Sequence, residues 1–221
     1  VVIDVLRASN TIITALNNGA KEIIPVAEIE TAWELKKKNP DYLLGGERKS
    51  KKIPGFDFGN SPLEYTPEKI KNRGIIFTTS NGSKALKTSE KAKHTFVASL
   101  ANAKSVSKLL NSLTTDIVIL CAGTLGFPSL EDTLAAGKII AELENLSAYE
   151  INDFGLIALS SYQNSKSDLY HTLLKSRNGR RLQELAMVQD IKYCSLIDTC
   201  TLIPEYKNNK IINPIENSVN L

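Results

Sequence analysis

The feature that most constrains this chain is an alternation of short, β-branched apolar runs with stretches of helical periodicity. VVID (1–4), EIIPV (22–26), YLLG (42–45), IIFTT (75–79), TFVAS (95–99) and DIVILC (116–121) have strand composition. The stretches between them favour helix. Ser9 is placed to cap a helix carrying Ile12, Ile13 and Leu16, with Gly19 just past its end. EIETAWELKKKN (28–39) stops at Pro40, and Thr66-Pro67 opens a short helix. Further helices are expected from about Ser83, from an Asn102 cap to about Leu113, and over 129–146. Strands that alternate with helices build right-handed βαβ units. The expected fold is therefore α/β, a mainly parallel sheet flanked by helices, in one unit over 1–221 with two lobes.

Finer features follow from the same reading. Pro25 marks an edge strand or a strand end, because proline cannot donate to a ladder. GERKSKKIPGFDFGNSP (46–62) lacks either periodicity and is expected to be a long loop, functional or merely solvated. Residues 152–199 are mostly helical, with a break at Asn178-Gly179, and TLIPEYKNNKII (201–212) reads as a terminal β-hairpin around Asn208-Asn209.

Composition excludes several classes of function. The net charge of +3, from 27 basic and 24 acidic residues, is too small to imply a nucleic-acid partner. No apolar run approaches the ~20 residues that span a bilayer, so no membrane partner is expected. No charged-then-apolar leader opens the sequence, and export is not expected. Cys121, Cys194 and Cys200 are odd in number and form no CxxC pair, which fits a reduced, cytoplasmic compartment. The sequence opens on VVIDVL inside an apolar run and without Met, so residues upstream are expected. A homo-oligomer is compatible with all of this.

In open α/β sheets ligands bind beyond the carboxyl ends of the strands. Four such ends carry polar chemistry: DVLRAS (4–9), TTSNGS (78–83), SLAN (99–102) and CAGTLGFPSLED (121–132). Each precedes an expected helix start, where backbone N–H groups favour anions. Asp4 ends an apolar strand and is a metal ligand, a nucleophile or an orienter of Arg7; a structural Asp is the plain alternative. Arg7 offers a donor fork suited to phosphate, sulfonate or carboxylate. Asn81-Gly82 usually signals a hairpin. However, KALKTSEKAK after it lacks strand alternation, so a strand-to-helix loop is expected, with Thr79, Asn81 and Ser83 as donors.

Helical geometry turns Asp132 inward with Ile139 and Leu143, and Glu131 toward solvent with Lys138 and Glu142, although from the first turn Glu131 can still point into a crevice. Ser129-x-x-Asp132 also fits a capping box. Cys121 is either a buried small hydrophobe or a thiol activated by a nearby helix start. Other chemistries lack their residues. Phe127 stands where a tyrosine-phosphatase loop starting at Cys121 needs Arg, and Leu6 stands where a haloacid-dehalogenase motif needs a second Asp. There is no P-loop, and His94 and His171 are isolated, which leaves a Ser-His-Asp triad unsupported.

Taken together, DVLRAS, GGER (45–48), GFDFGNSP (55–62), TTSNGS, CAG (121–123), EDTLAAG (131–137) and DIKYCSLIDTCTLIP (190–204) resemble the 2-phosphosulfolactate phosphatase (ComB) family. The resemblance runs in order through nearly the whole chain. It implies an unusual α/β fold and Mg²⁺-dependent hydrolysis of 2-phospho-3-sulfolactate to 3-sulfolactate and phosphate, a step toward coenzyme M. On that reading a small anionic substrate is held by Arg7, Asn60, Ser61, Ser99, Asn102 and the TTSNGS loop, including Gly82. Ser9, Arg48 and Gly123, within the shared motifs, join the substrate site. Mg²⁺ needs one or two carboxylates, and Asp4 and Asp132, with Glu47 or Glu131, are the expected donors. A metal-bound water is the first choice of attacking group, then Asp4, then Cys121. The alternatives are a non-catalytic sensor of a phosphorylated or sulfonated metabolite, and a nucleotide-dependent enzyme. Two carboxylates beside an anion site argue against the first, and the lack of G-x-G-x-x-G against the second.

Overall fold

The computed structural model describes residues 1–214. Two sheets carry the fold. In the first, β1 (Val2–Ile3) lies between β6 (Val97–Ala98) and β7 (Leu120–Cys121), and all three are parallel. The second has β2 (Glu22–Val26), β3 (Leu43–Arg48) and β5 (Gly74–Thr78) as a parallel centre, in the order β3-β5-β2. Antiparallel strands finish it: β4 (Lys51–Lys52) on β3, and the hairpin of β8 (Glu205–Lys207) and β9 (Lys210–Ile212) on β2. The expected terminal hairpin is present, with Asn208 and Asn209 both in the left-handed region that its turn requires.

The first sheet is short because β1 offers only Val2 and Ile3 before the chain turns at Asp4. The extended segments expected over 95–99 and 116–121 therefore pair only at two residues each. Both faces of β1 are buried, which is why it reads as an unbroken apolar run. Ile3 packs in a core with α5 (Ala103–Asn111), α6 (Leu130–Ala141) and the helices that follow. Val2 packs in a second core with α1 (Ala8–Asn17), α4 (Gly82–Thr88), β2 and β5. A smaller third core lies between β3, α2 (Ile29–Lys38), and Ile53 and Phe56.

Several local expectations are corrected. Arg7, not Ser9, occupies the cap position of α1, and the Ser9 hydroxyl accepts from the Asp4 N–H at 2.9 Å. Pro25 is not in an edge strand but lies one residue from the end of β2, the other expected place, and is paired to β5. Its missing N–H is tolerated because β9 pairs with β2 only at Ile23. The 46–62 segment is ordered: β3 runs on to Arg48, turns through left-handed Lys49 and Ser50, and returns as β4. Ile53, Phe56 and Phe58 are then buried, and Phe58 bridges to Gly45. Period-based reading missed this because the strands are short and the apolar residues irregularly spaced.

The helical region divides into α7 (Asp153–Ser165), α8 (Leu169–Lys175), α9 (Arg177–Glu184) and α10 (Val188–Cys194). The break between α8 and α9 is at Ser176, two residues before the expected Asn-Gly. The Ser176 hydroxyl caps α9 by accepting from the Gly179 N–H at 2.9 Å. Gly179 is needed inside the helix because a Cβ there would lie 1.9 Å from the Leu173 carbonyl oxygen. Among the described residues no helix is long and apolar enough to cross a membrane.

Candidate active site

The carboxyl ends of strands from both sheets open onto one crevice of about 440 Å³. Asp4 enters it from β1, Glu47 from β3, Ser80 and Asn81 from β5, and Thr124 from the turn after β7. α9 closes the other side with Arg177, Asn178 and Arg181, and the β3–β4 turn adds Lys49 and Ser50.

Four of the expected carboxylates are buried, but only Asp4 and Glu47 line the crevice; Glu131 and Asp132 do not. Asp4 Oδ1 accepts from the Ala8 N–H at 3.3 Å, while Oδ2 has no partner among the described residues. Burial pushes the Asp4 carboxyl up to about 7; the Ala8 N–H and Arg7 oppose that rise, and the charges of Glu47 and Glu131 add to it. Glu47 ties two loops together: Oε1 accepts from the Ser80 N–H at 2.8 Å and Oε2 from the Ser50 N–H at 2.7 Å. Asp132 accepts from Val5 N–H at 2.8 Å and from Gly123 N–H at 3.0 Å, one on each oxygen. Burial, with the nearby charges of Asp4 and Glu131, holds its carboxyl well above the ordinary range.

Glu131 is buried at 1% exposure, against the expectation that it faces solvent. Its position in the first turn of α6 is the reason. Asn178 of α9 lies over that turn and donates to Glu131 Oε1 at 2.7 Å and to Thr124 Oγ1 at 2.8 Å. Helical periodicity describes one helix face and does not see a neighbouring helix covering the other.

Arg7 is also buried and is already partnered. Its Nη1 donates to Asp190 Oδ2 at 2.5 Å and its Nη2 to the Ser50 carbonyl at 2.9 Å. Asp190, from α10, takes a second hydrogen bond from Ser61 Oγ at 2.7 Å. The charge of Arg7 is therefore matched within the protein, and Asp190 is a member of the site that sequence reading left without a role.

A sequence profile of the family described as 2-phosphosulpholactate phosphatase matches residues 1–209. The chain is 45% identical over 210 residues to a probable 2-phosphosulfolactate phosphatase of Caldanaerobacter subterraneus, covering 94% of this chain and 87% of that protein. It is 42% identical to proteins of the same description from Clostridium tetani and Symbiobacterium thermophilum. These cover 96% of this chain and 90% and 92% of theirs. The chain belongs to the 2-phosphosulpholactate phosphatase family.

For a member of this family, the structure brings together only part of the expected substrate set. Asn60 and Asn81 line the crevice with Asp4, Arg7 and Glu47. Thr79 and Ser83 turn toward each other instead: the Ser83 N–H donates to Thr79 Oγ1 at 3.2 Å, and the Thr79 N–H to Ser83 Oγ at 3.1 Å. They close the TTSNGS loop on itself and leave Ser80 and Asn81 at the crevice. Gly82 serves close approach, since a Cβ there would lie 2.9 Å from both Asp4 Oδ2 and Ala8 Cβ.

Other expected contacts are structural. Ser99 and Asn102 are fully enclosed; Asn102 accepts from the Ser99 N–H and donates to the Val97 and Leu202 carbonyls. Arg48 points away from the crevice and donates to Ala27 O at 2.6 Å and Thr78 Oγ1 at 3.0 Å. Ser9 and Ser61 support Asp4 and Asp190, and Gly123 anchors Asp132. Cys121 does not line the crevice, and burial, aided by the charge of Asp132, pushes its thiol up to about 12. That thiol stays protonated near neutral pH, which counts against a nucleophilic role.

Sequence reading missed Lys49, Arg177, Asn178 and Arg181. Lys49 stands beside the GGER motif, but nothing in the local pattern around 177–181 separates the two arginines from a solvated helix face.

Proposed function

We propose that this chain is a Mg²⁺-dependent phosphomonoesterase that hydrolyses 2-phospho-3-sulfolactate to 3-sulfolactate and phosphate. Family membership supports the phosphatase chemistry and the substrate. The observation that carries the reading in the structure is Asp4: a buried carboxyl at a strand end, raised to about 7, with one oxygen free toward a crevice of metabolite size. Perturbed carboxyls of this kind concentrate at functional sites.

The residues fit Mg²⁺ in one way and not in another. Among the described residues no three His, Cys, Asp or Glu side chains come together to cage a metal. Of the expected donors, Asp132 and Glu47 already accept a backbone N–H on each oxygen. Asp4 Oδ2 and Glu131 Oε2 have no hydrogen-bond partner among the described residues. Hard oxygen donors of that number suit Mg²⁺, which takes one or two carboxylates and completes its shell with substrate oxygens and water. When bound, Mg²⁺ would supply a Lewis acid that draws charge from the phosphoryl oxygens.

The chain itself does the rest. Glu47 fixes Ser50 and Ser80 relative to Asp4, and Asp132 holds the backbone at Val5 and Gly123, so the reacting end is preorganised. Asn81 and Asn60 offer uncharged polar groups to the substrate. Water is the attacking group in this reading; burial that keeps the Cys121 thiol protonated leaves Asp4 as the competing group.

Phosphate release from 2-phosphosulfolactate and from an aryl phosphate, with and without Mg²⁺, tests it. The parent enzyme should need Mg²⁺, and Asp4→Asn should lose about 10²-fold or more in rate while staying folded. Unchanged rates in EDTA would remove Mg²⁺, and an unchanged rate in Asp4→Asn would remove Asp4. Rapid quench that traps phosphate on Asp4 would replace water as the attacking group.

A further inference from the structure

Asp4 and Glu47 line the crevice from the ends of β1 and β3. Lys49, Arg177 and Arg181 line the same cavity from the β3–β4 turn and from α9. Arg177 and Arg181 are four residues apart on α9 and so share a face. Their positions are fixed: Ser176 caps α9, and Asn178 ties it to the 124 turn and to α6. The charges are nonetheless free. Among the described residues the side chains of Lys49 and Arg177 have no ion-pair or hydrogen-bond partner. Arg181 meets Glu184 at 3.0 Å, but both are well exposed, so that pair is weak and easily exchanged. Arg7, by contrast, is neutralised by Asp190. The unmatched positive potential of the crevice therefore comes from its rim and not from Arg7.

We propose that Arg177 and Arg181, assisted by Lys49, form a second-anion subsite that holds the sulfonate or carboxylate of the substrate while its phosphate lies at Asp4. This rests on the phosphatase reading above and adds what selects the substrate: a phosphate ester carrying another strongly acidic oxyanion a few bonds away. Guanidinium forks suit both oxyanions. The arginines bind and position the substrate and take no part in the bond-breaking step.

The test compares kcat and KM for 2-phosphosulfolactate and p-nitrophenyl phosphate. It uses the parent, R177A, R181A, the double variant, R181K and R180A, with full-length protein. Arg180 is exposed and lies outside the crevice, so it controls for net charge. The double variant should raise KM for 2-phosphosulfolactate by about tenfold or more, with a much smaller change in kcat. The ratio of kcat/KM between the two substrates should fall by a similar factor, R181K should recover part of it, and R180A should leave it where it is. An unchanged ratio in the double variant would overturn the subsite, as would an equal loss with both substrates. If the parent hydrolyses neither ester, the phosphatase reading fails by itself. Calorimetric titration with 3-sulfolactate then decides the subsite: binding weakened about tenfold in the double variant supports it, and binding equal to the parent, or no binding to the parent, refutes it.

Discussion

Asp4 shows how a single residue trades stability for chemistry. Its carboxyl moves from 3.8 to about 7 on folding, mainly because burial disfavours the charged form. Between those values the folded chain keeps a proton that the unfolded chain releases. Whatever stability the group contributes is complete below the unfolded value and is lost as the pH rises through about 7. Without metal, Asp4→Asn should therefore melt higher than the parent at pH 8, by about 2–4 °C for each kcal/mol of charge burial relieved. The difference should shrink toward pH 5, where Asp4 is already neutral. Melting curves in EDTA across that range check it, and a variant that melts at or below the parent at pH 8 would contradict it. Asp4 was readable from sequence because a carboxylate at the end of an apolar strand is conspicuous. Its neighbours were less so. Cys121 looks reactive beside a helix start until burial and Asp132 are seen to raise its thiol.

At the level of elements, the strand–helix alternation carried the reading, and its failures share one cause. Sequence periodicity describes an element's own faces, not what another element places on them. On its own helix Glu131 can face solvent or reach a crevice from the first turn, and it is α9, lying over α6, that buries it. The 46–62 segment was read as a loop because β3 and β4 pair for only two residues, Glu47 with Lys52 and Arg48 with Lys51. Glu47 gains its importance from that hairpin. Through one carboxylate it binds the β3–β4 turn at Ser50 and the β5–α4 loop at Ser80. Hydrogen bonds to a buried charge are worth more than neutral ones. Glu47→Ala should thus lower unfolding free energy by about 2–4 kcal/mol in urea, and Glu47→Gln, which keeps one acceptor oxygen, by about half as much. A loss below about 0.5 kcal/mol would mean that the two loops are held by other contacts.

Across the whole molecule, two sheets with their own cores have to meet with their strand ends aligned, and Arg7 is where the meeting is fixed. It follows β1 of the first sheet, donates to the Ser50 carbonyl in the hairpin of the second, and pairs with Asp190 on α10. Sequence alone gave Arg7 to the substrate because a planar fork at a strand end suits an anion. Its partner is 183 residues away, beyond the reach of any local pattern. The two roles predict different energetics. If Arg7 mainly joins the parts of the molecule, Arg7→Met should cost about 3–5 kcal/mol, because it leaves Asp190 buried and uncompensated. Asp190→Leu should cost a similar amount for the converse reason. Arg7→Met with Asp190→Leu should then be clearly less destabilised than the sum of the two, with a coupling of about 2 kcal/mol or more, since removing both charges removes the penalty each leaves behind. Urea unfolding of the four proteins gives that coupling directly. Additivity within about 0.5 kcal/mol would show that the pair does not act as a unit. It would return Arg7 to the substrate, with its charge available to the phosphate.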